Sequence, residues 1–298
     1  MPLRDALAAR IRAPFLEPGA ARPAVVPAPV DRRLLGAGSP AFDIHADVTV
    51  MMIGGITSLL VQMLHPRALA GVWDHSNFRT DMGGRLRRTA AFIAVTTFGP
   101  REQAEAAIAR VRRIHASLGG TLPDGTPYRA DEPETLAFVG AVEALSFLKA
   151  WRRYREPLMS RARQDRYMAD MAEVARRLGA DCMPATRAGA EALVRRMRPQ
   201  LRADGRTREV CGLLLAAPPP SPALGPAHRL MMEAAIDLLP AWARAMQGLA
   251  GPGPAAPLVR AGASGMGALV RWALAPAPKR GASVTGRGTA AAPPQRPA

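Results

Sequence analysis

Five histidines are the residues of this 298-residue chain that are best suited to chemistry: His45, His65, His75, His115 and His228. No two stand four residues apart, the spacing that puts two imidazoles on one helical face, and neither cysteine lies beside a histidine. A local zinc motif is therefore not predicted. The sequence also lacks a phosphate-binding glycine loop and a Gly-x-Ser-x-Gly nucleophile turn.

His115 is the most informative of the five. It falls in one helical stripe with apolar residues at Ala104, Ile108, Val111 and Leu118. The spacing predicts a helix that turns this imidazole toward the core. A buried, hydrogen-bonded histidine fits that position, and so does the proximal ligand of a haem, because haem iron needs only one or two axial protein atoms. Position alone leaves both interpretations open.

Arg85, Arg88 and Thr89 form a second candidate group. Their spacing of three and four residues puts them on one helical face beside an apolar stripe. In an arginine-rich chain this pattern is typical of a solvated basic face. Alternatively, the guanidinium groups lie at a pocket, where they could hold the carboxylates of a cofactor or stabilise bound oxygen.

Glu143 is a third candidate, because its helical neighbours would carry it inward. These neighbours are Leu136, Val139, Gly140 and Phe147. A buried carboxylate usually pairs with an arginine, and the other interpretation is a general base with a raised pKa.

The elements that must position these residues are predicted to be helical nearly throughout, and the few stretches of strand alternation make a large sheet improbable. Residues 48–64 carry no charge. They sit at the lower length limit of a membrane span and suit a buried core helix better. Gly54 and Gly55 within them would allow close approach of a macrocycle or another helix. The remaining predicted helices cover 84–98, 101–118, 135–154, 165–178, 189–197, 227–242 and an amphipathic stretch at 266–274, with breaks at 216–222 and 251–254.

Charge and composition place limits on the class of protein. Hydrophobic residues make up 48% of the chain, which excludes a disordered protein, and the formal charge is +16. Residues 1–33 contribute +3 and the last 48 residues +6, which leaves a middle near +7. We therefore expect a flexible segment over 1–33, a helical domain over 34–279 and a disordered basic tail over 280–298. Two cysteines and the lack of a secretory signal favour a reducing, cytoplasmic location.

Several short motifs occur in order along the chain. They are Gly38-Ser39-Pro40-Ala41-Phe42, Leu64-His65-Pro66, Gly71-Val72-Trp73-Asp74-His75-Ser76-Asn77-Phe78, Gly84-Arg85-Leu86-Arg87-Arg88-Thr89, Val111-Arg112-Arg113-Ile114-His115-Ala116, Tyr128-Arg129-Ala130-Asp131 and Arg271-Trp272-Ala273-Leu274. Each motif is weak alone. In this order and spacing, from about residue 36 to residue 279, the chain resembles the rubber oxygenase (latex-clearing protein) and MpaB-type oxygenase family.

The resemblance implies an all-α, globin-like domain that encloses haem b and activates dioxygen. By matched motif, His115 would be the proximal iron ligand, and Arg85, Arg88 and Thr89 would lie near the distal side. His65, His75 and the Gly54-Gly55 pair are further candidates for contact with the cofactor. The chain departs from the family at two positions. Arg88 stands where rubber oxygenases have a lysine, and Gly140 where MpaB-type members usually carry a histidine.

The leading hypothesis is a haem-dependent oxygenase that acts with dioxygen on an apolar substrate, such as an isoprenoid or a lipid. The first alternative is a haem or lipid binder of the same fold without catalysis. The second is nucleic-acid binding through the basic tails. Scattered arginines and only 5% aromatic residues argue against a specific nucleic-acid partner. Peripheral membrane contact and the oligomeric state stay open.

Overall fold

The computed structural model describes residues 2–12, 26–219 and 221–275. Within them the chain forms an all-α fold with one small hairpin, as predicted. The helices are α1 Pro2–Arg12, α2 Ala41–Ala46, α3 Val48–Gln62, α4 Pro66–His75, α5 Met82–Phe98, α6 Arg101–Ser117, α7 Pro133–Tyr154, α8 Arg161–Arg177, α9 Arg187–Met197, α10 Gly205–Leu215, α11 Gly225–Leu238, α12 Ala241–Met246 and α13 Ala256–Leu274. Strands β1 (Gly119–Thr121) and β2 (Pro127–Arg129) pair antiparallel between α6 and α7.

The core is built on the pair α3 and α7. The uncharged sequence of α3 lets it be buried on nearly all sides, with α7 on one side and α11 on another, while α8 and α9 cover α7. Gly54 allows α3 and α7 to approach closely. A Cβ atom at this position would lie only 2.6 Å from a ring carbon of Phe147. Of the two roles expected for the glycine pair, approach of another helix is the one that Gly54 performs.

Helices α5 and α6 form an antiparallel hairpin that turns at Gly99 and Pro100. The hairpin makes its closest backbone contacts within itself and with α2. At its turn end, Ile108 packs in a small apolar cluster with Val174 and Leu178 of α8. Close backbone contacts between this hairpin and α7 or α8 are few, so we infer a space between the two helix pairs, which we call the slot. It is closed at this turn end.

Apolar side chains from three of these helices pack against the core, but part of the surface of each one is left uncovered. They are Leu86 of α5, Leu136 and Val139 of α7, and Met171 of α8. We infer that these side chains line the slot, because well-packed interiors rarely leave apolar groups half-covered between helices.

Residues 2–12, within the segment expected to be flexible, form α1 and pack on α13. Ala8 is buried there, and the Arg4 side chain bonds the Ala275 carbonyl and lies over the Trp272 ring. This packing stabilises a short helix that would be marginal alone. The tail predicted over 280–298 lies outside the described residues.

Two carboxylates with almost no exposure hold α13 against the bundle. Asp237 accepts hydrogen bonds from Arg260 at 2.8 and 2.9 Å and from Arg153 at 2.9 Å. Asp47 pairs with Arg271 at 3.0 Å and Arg155 at 3.2 Å. Each carboxylate thus joins α13 to the carboxyl-terminal end of α7.

Asp237→Asn is expected to lower the free energy of unfolding by about 1–2 kcal/mol at neutral pH, since two charge-assisted hydrogen-bond sets are weakened. The hydrogen bonds from Arg260 lower the pKa of Asp237 below its ordinary 3.8. The stabilisation is therefore fully present above pH 3.8 and is lost as the pH falls through the lower folded-state pKa. Urea unfolding at pH 7 and pH 3 measures this, and a difference that persists undiminished at pH 3 would contradict it.

The structure differs from the sequence predictions in several elements. The single helix predicted over 227–242 is two helices, because Pro240 cannot continue α11. Helices α2, α4 and α10 and the β1–β2 hairpin were not predicted at all. The carboxyl-terminal helix is also longer than predicted, since α13 begins at Ala256.

No single helix among the described residues is long and apolar enough to cross a membrane. The bent pair of α3 and α4, which meet at 103°, passes that test only when both helices are taken together, by length and composition.

Candidate functional site

His115 lies in the last turn of α6, and its apolar stripe is only partly buried. Ala104 and Ile108 are in the core, whereas Val111 and His115 are half-buried. The Nδ1 atom of His115 is closed off from solvent and has no hydrogen-bond partner. Burial lowers the pKa of the imidazole, and the nearby charge of Asp131 opposes this. The side chain is therefore not the hydrogen-bonded core histidine of the simpler interpretation.

Arg85 of α5 extends into the protein. Burial and the charge of Arg88 lower the pKa of its guanidinium. Its NH1 donates to the hydroxyl of Ser76 at 3.1 Å, and no carboxylate in the described part of the chain lies within ion-pair distance. Buried cations normally have an anionic partner. Arg85 therefore offers a charge and several donors to an anion from outside the chain.

The α5–α6 hairpin brings Arg85 and His115 to the same end of the slot. Arg85 lies before the turn at Gly99 and Pro100, and His115 lies after it. The two residues are separated from the turn by nearly equal lengths of helix. Both side chains therefore lie about 20 Å from the turn, at 1.5 Å rise per residue. Asp131 just before α7 is close to His115, so the amino-terminal end of α7 forms the opposite wall at this end of the slot.

Arg88 and Thr89 do not follow Arg85 inward. Arg88 is exposed and binds the Asp81 carboxylate at 3.2 Å and the Asn77 side-chain oxygen at 3.3 Å. The exposed Thr89 hydroxyl donates to the Arg85 carbonyl of its own helix. Arg88 and Thr89 therefore have the surroundings of a solvated face, whereas Arg85 does not.

His75 belongs to a polar cluster at the hairpin. The Tyr128 hydroxyl donates to Asp74 at 2.6 Å, and the exposed His75 ring lies 3.2 Å from that hydroxyl and 3.1 Å from the Gly119 carbonyl. Burial and Asp74 raise the pKa of Tyr128. In this structure His75 fastens β1 and β2 to the end of α4.

His65 is the N-cap of α4, where Nδ1 accepts from the Ala68 amide at 3.4 Å and the ring packs against Phe138. Burial, assisted by Arg67, lowers its pKa to about 4. Its Nε2 is buried without a partner.

Gly140 lies beside Met183. A Cβ atom at position 140 would be 3.0 Å from the Met183 sulfur, so a histidine there would displace Met183.

Glu143 lies deep between α7 and α8, and burial alone raises its pKa to about 7. No arginine in the described residues pairs with it, in contrast to the ion pair expected for a buried carboxylate. It is at the closed end of the slot, since it acts electrostatically on Tyr167 of α8. Glu143 is ten residues beyond Pro133 in α7, which puts it about 15 Å along the helix from the His115 end.

Sequence reasoning named His45 among the histidines but gave it no role, whereas the structure places it in this deep region. Its Nδ1 lies 2.8 Å from the Thr97 hydroxyl and its Nε2 3.0 Å from the Tyr167 hydroxyl. Burial lowers its pKa to about 3. Because α2 was not predicted, the sequence carried no signal that His45 points inward.

The open end of the slot has the groups that a haem requires. It offers an imidazole with an unpartnered buried nitrogen, a buried guanidinium without a carboxylate, and half-buried apolar side chains that could contact a flat macrocycle. Within the described residues no three His, Cys, Asp or Glu side chains form a group that could hold a metal ion by themselves. A surface hollow of about 290 Å³ at Glu233, Ile236 and Pro252 involves none of the candidate residues.

Comparisons with known proteins identify the family of this chain. Residues 42–272 match the family described as ER-bound oxygenase mpaB/B′/Rubber oxygenase, catalytic domain. Among solved structures, the chain is similar to a latex clearing protein in the closed state, with a TM-score of 0.57 and 17% identity, over 93% of this chain and 84% of that one. At that identity the likeness shows the fold alone. A search of the curated proteins found no match. The family match spans most of the chain, which therefore belongs to the MpaB and rubber oxygenase family of oxygenases.

Proposed function

We propose that this oxygenase works with haem b, bound in the slot with His115 as its protein ligand. The observation that carries the proposal is the buried, unpartnered Nδ1 of His115 at the same end of the α5–α6 hairpin as Arg85, which has no ion pair within the described residues. Both are costly to leave unsatisfied, and a ligand that supplies a metal and carboxylates satisfies both.

Bound haem would supply the redox chemistry of dioxygen, and the protein would supply ligation, orientation and a dry pocket. Burial lowers the pKa of His115, which favours the neutral imidazole with a lone pair available. Arg85 would orient the cofactor through its carboxylates or donate into the space above it. The apolar lining from α5, α7 and α8 would exclude water.

The same lining supports an apolar small-molecule substrate, because the half-buried side chains at Leu86, Val139 and Met171 offer no polar partner. Isoprenoid and lipid chains are substrates of this kind. The test is oxygen uptake by haem-loaded protein given an isoprenoid or an unsaturated lipid. Haem binding without substrate-dependent oxygen uptake would favour the non-catalytic binder of the same fold.

Arg85→Met is expected to weaken haem binding about tenfold, the cost of one charge-assisted hydrogen bond. The matched control is Arg88→Met on the same helix, which loses an exposed contact with Asp81 and should leave haem binding unchanged. Haemin titration followed by absorbance measures both variants. Equal effects of the two substitutions would contradict the assignment of Arg85 to the slot.

Peripheral membrane contact is part of the proposal, through the outer face of α13. This face carries no unpaired charge, since Arg260 and Arg271 are engaged with Asp237 and Asp47. Apart from Arg260, its exposed residues are Pro257, Leu258, Ala261, Ser264, Gly265, Ala268, Leu269 and Trp272, and Ser264 is the one with a polar side chain. An apolar helix face with a tryptophan beside Arg4, followed in sequence by Lys279 and Arg280, suits an anionic lipid surface.

Leu269→Ser in the full chain is expected to reduce binding to vesicles that contain phosphatidylserine, as measured by co-sedimentation. The control is Leu158→Ser, because Leu158 is 95% exposed in the α7–α8 loop, away from this face. Equal vesicle binding by Leu269→Ser and the unaltered chain would contradict membrane contact through α13. A change in oligomeric state instead would indicate that a second copy covers this face.

A further inference from the structure

The closed end of the slot contains a chain of hydrogen-bonded side chains from three helices. Thr97 of α5 bonds His45 of α2, and His45 bonds Tyr167 of α8, with distances of 2.8 and 3.0 Å. The His45 ring also packs edge-on against Phe147 and Tyr167. These contacts orient the polar groups before any ligand is present.

Glu143 lies next to this chain but is not part of it. Its carboxyl has no hydrogen bond or ion pair with any residue in the part of the chain that the structure describes, although protein surrounds it. The carboxyl is close enough to Tyr167 to raise the pKa of that hydroxyl. An unpartnered carboxyl in a protein interior costs free energy unless a ligand or water satisfies it.

The surface that two of these residues keep indicates an internal space beside them. Glu143 and His45 both lie deep within the bundle, yet neither side chain is closed over by its neighbours, and both are half-buried by surface area. Tyr167, between them, is fully buried. Deep residues that keep free surface face an internal space, and here two helices contribute such residues to the same one.

The chemistry of this end selects a neutral oxygen. The pKa of Glu143 is raised by burial, and no nearby cation among the described residues acts on it. An anionic ligand would therefore find no positive charge to pair with there. A protonated carboxyl can both donate to and accept from a hydroxyl or carbonyl oxygen. The apolar lining between this end and His115 suits a hydrocarbon chain.

We propose that the closed end of the slot is a binding subsite for the terminal hydroxyl or carbonyl group of an otherwise apolar ligand, which Glu143 holds beside the Tyr167–His45–Thr97 chain. The proposal rests on the proposed function for the idea that the substrate is apolar, and it adds the polar group by which that substrate is positioned. The subsite is about 15 Å along α7 from the His115 end. A ligand anchored there would extend its chain toward the open end.

Isothermal titration of the full chain with decanol, decane and decanoate tests the subsite without any need for haem. The unaltered chain is expected to bind decanol about tenfold more tightly than Glu143→Leu does, as one hydrogen bond in a site closed to water provides. Glu143→Gln keeps a hydrogen-bond donor and an acceptor, so its affinity for decanol should be close to that of the unaltered chain. Decane should bind all three alike, and decanoate should bind more weakly than decanol.

Equal decanol affinity in the unaltered chain and Glu143→Leu would overturn the proposal, as would tighter binding of decanoate. Glu143→Leu is expected to fold, because it removes a buried carboxyl without changing the packed side of α7, and its melting midpoint verifies this. Tyr167→Phe, which keeps the ring and removes the hydroxyl, should also weaken decanol binding. If the decanol affinities differ from these expectations while the chain still binds haem, the subsite proposal alone is wrong. If the decanol affinities are as expected but the chain binds no haem, the cofactor proposal alone is wrong.

Discussion

His115→Ala is expected to remove haem binding at the slot, with the largest effect of any single substitution. His115 has a buried, unpartnered ring nitrogen at the open end of the slot. Loss of the ligand itself should exceed the roughly 10–100-fold that loss of an outer partner of a metal ligand costs. Haemin titration followed by absorbance measures the change.

Imidazole added to His115→Ala should restore part of the spectrum, because it can enter the space that the side chain leaves. The matched control is His228→Ala, since burial also lowers the pKa of His228 but the residue lies on α11. The control should bind haem as the unaltered chain does. A His115→Ala protein with unaltered haem affinity would show that another residue is the ligand.

Gly54→Ala is expected to destabilise the fold by about 2–3 kcal/mol through overpacking, the largest effect on stability among these predictions. The added Cβ would lie 2.6 Å from a Phe147 ring carbon and 3.0 Å from the Phe147 Cα. The backbone of α7 would have to move, because the second contact is not with a flexible side chain. The slot should change as well, since α7 forms one of its walls.

Gly55→Ala is the control for Gly54→Ala, because it makes the same chemical change one residue further along α3. Its Cβ would meet Phe147 at 3.8 Å, an ordinary contact, and alanine favours helix over glycine by up to about 1 kcal/mol. Gly55→Ala should therefore be neutral or slightly stabilising in urea unfolding. Similar losses in both variants would show that the close approach at Gly54 is not what limits the packing.

The long helices could be predicted from sequence because their apolar periods and their boundaries agree. Helix α6 matches the predicted range to within one residue. Its boundaries are marked in the sequence, because Pro100 precedes its start and Gly119 follows its end. The short helix α2 carries too few residues for a period, and α4 follows α3 after a sharp bend that hydropathy does not mark. Length and bends therefore limited the fold prediction.

The candidate site was predictable only in part. Periodicity placed Arg85, Arg88 and Thr89 on one face, but it could not indicate that Asp81 and Asn77 would hold Arg88 outward. The same limit applies to His45, which becomes interior only through its contacts with Thr97 and Tyr167, residues 52 and 122 positions away. Such long-range contacts leave no local trace in a single sequence.

The central claim is that the slot holds haem through His115, and the absorption spectrum of the purified full chain during haemin titration tests it most directly. The account predicts a Soret band that saturates at one haem per chain and shifts when the iron is reduced. A chain that folds, as judged by circular dichroism, but takes up no haemin would contradict the claim.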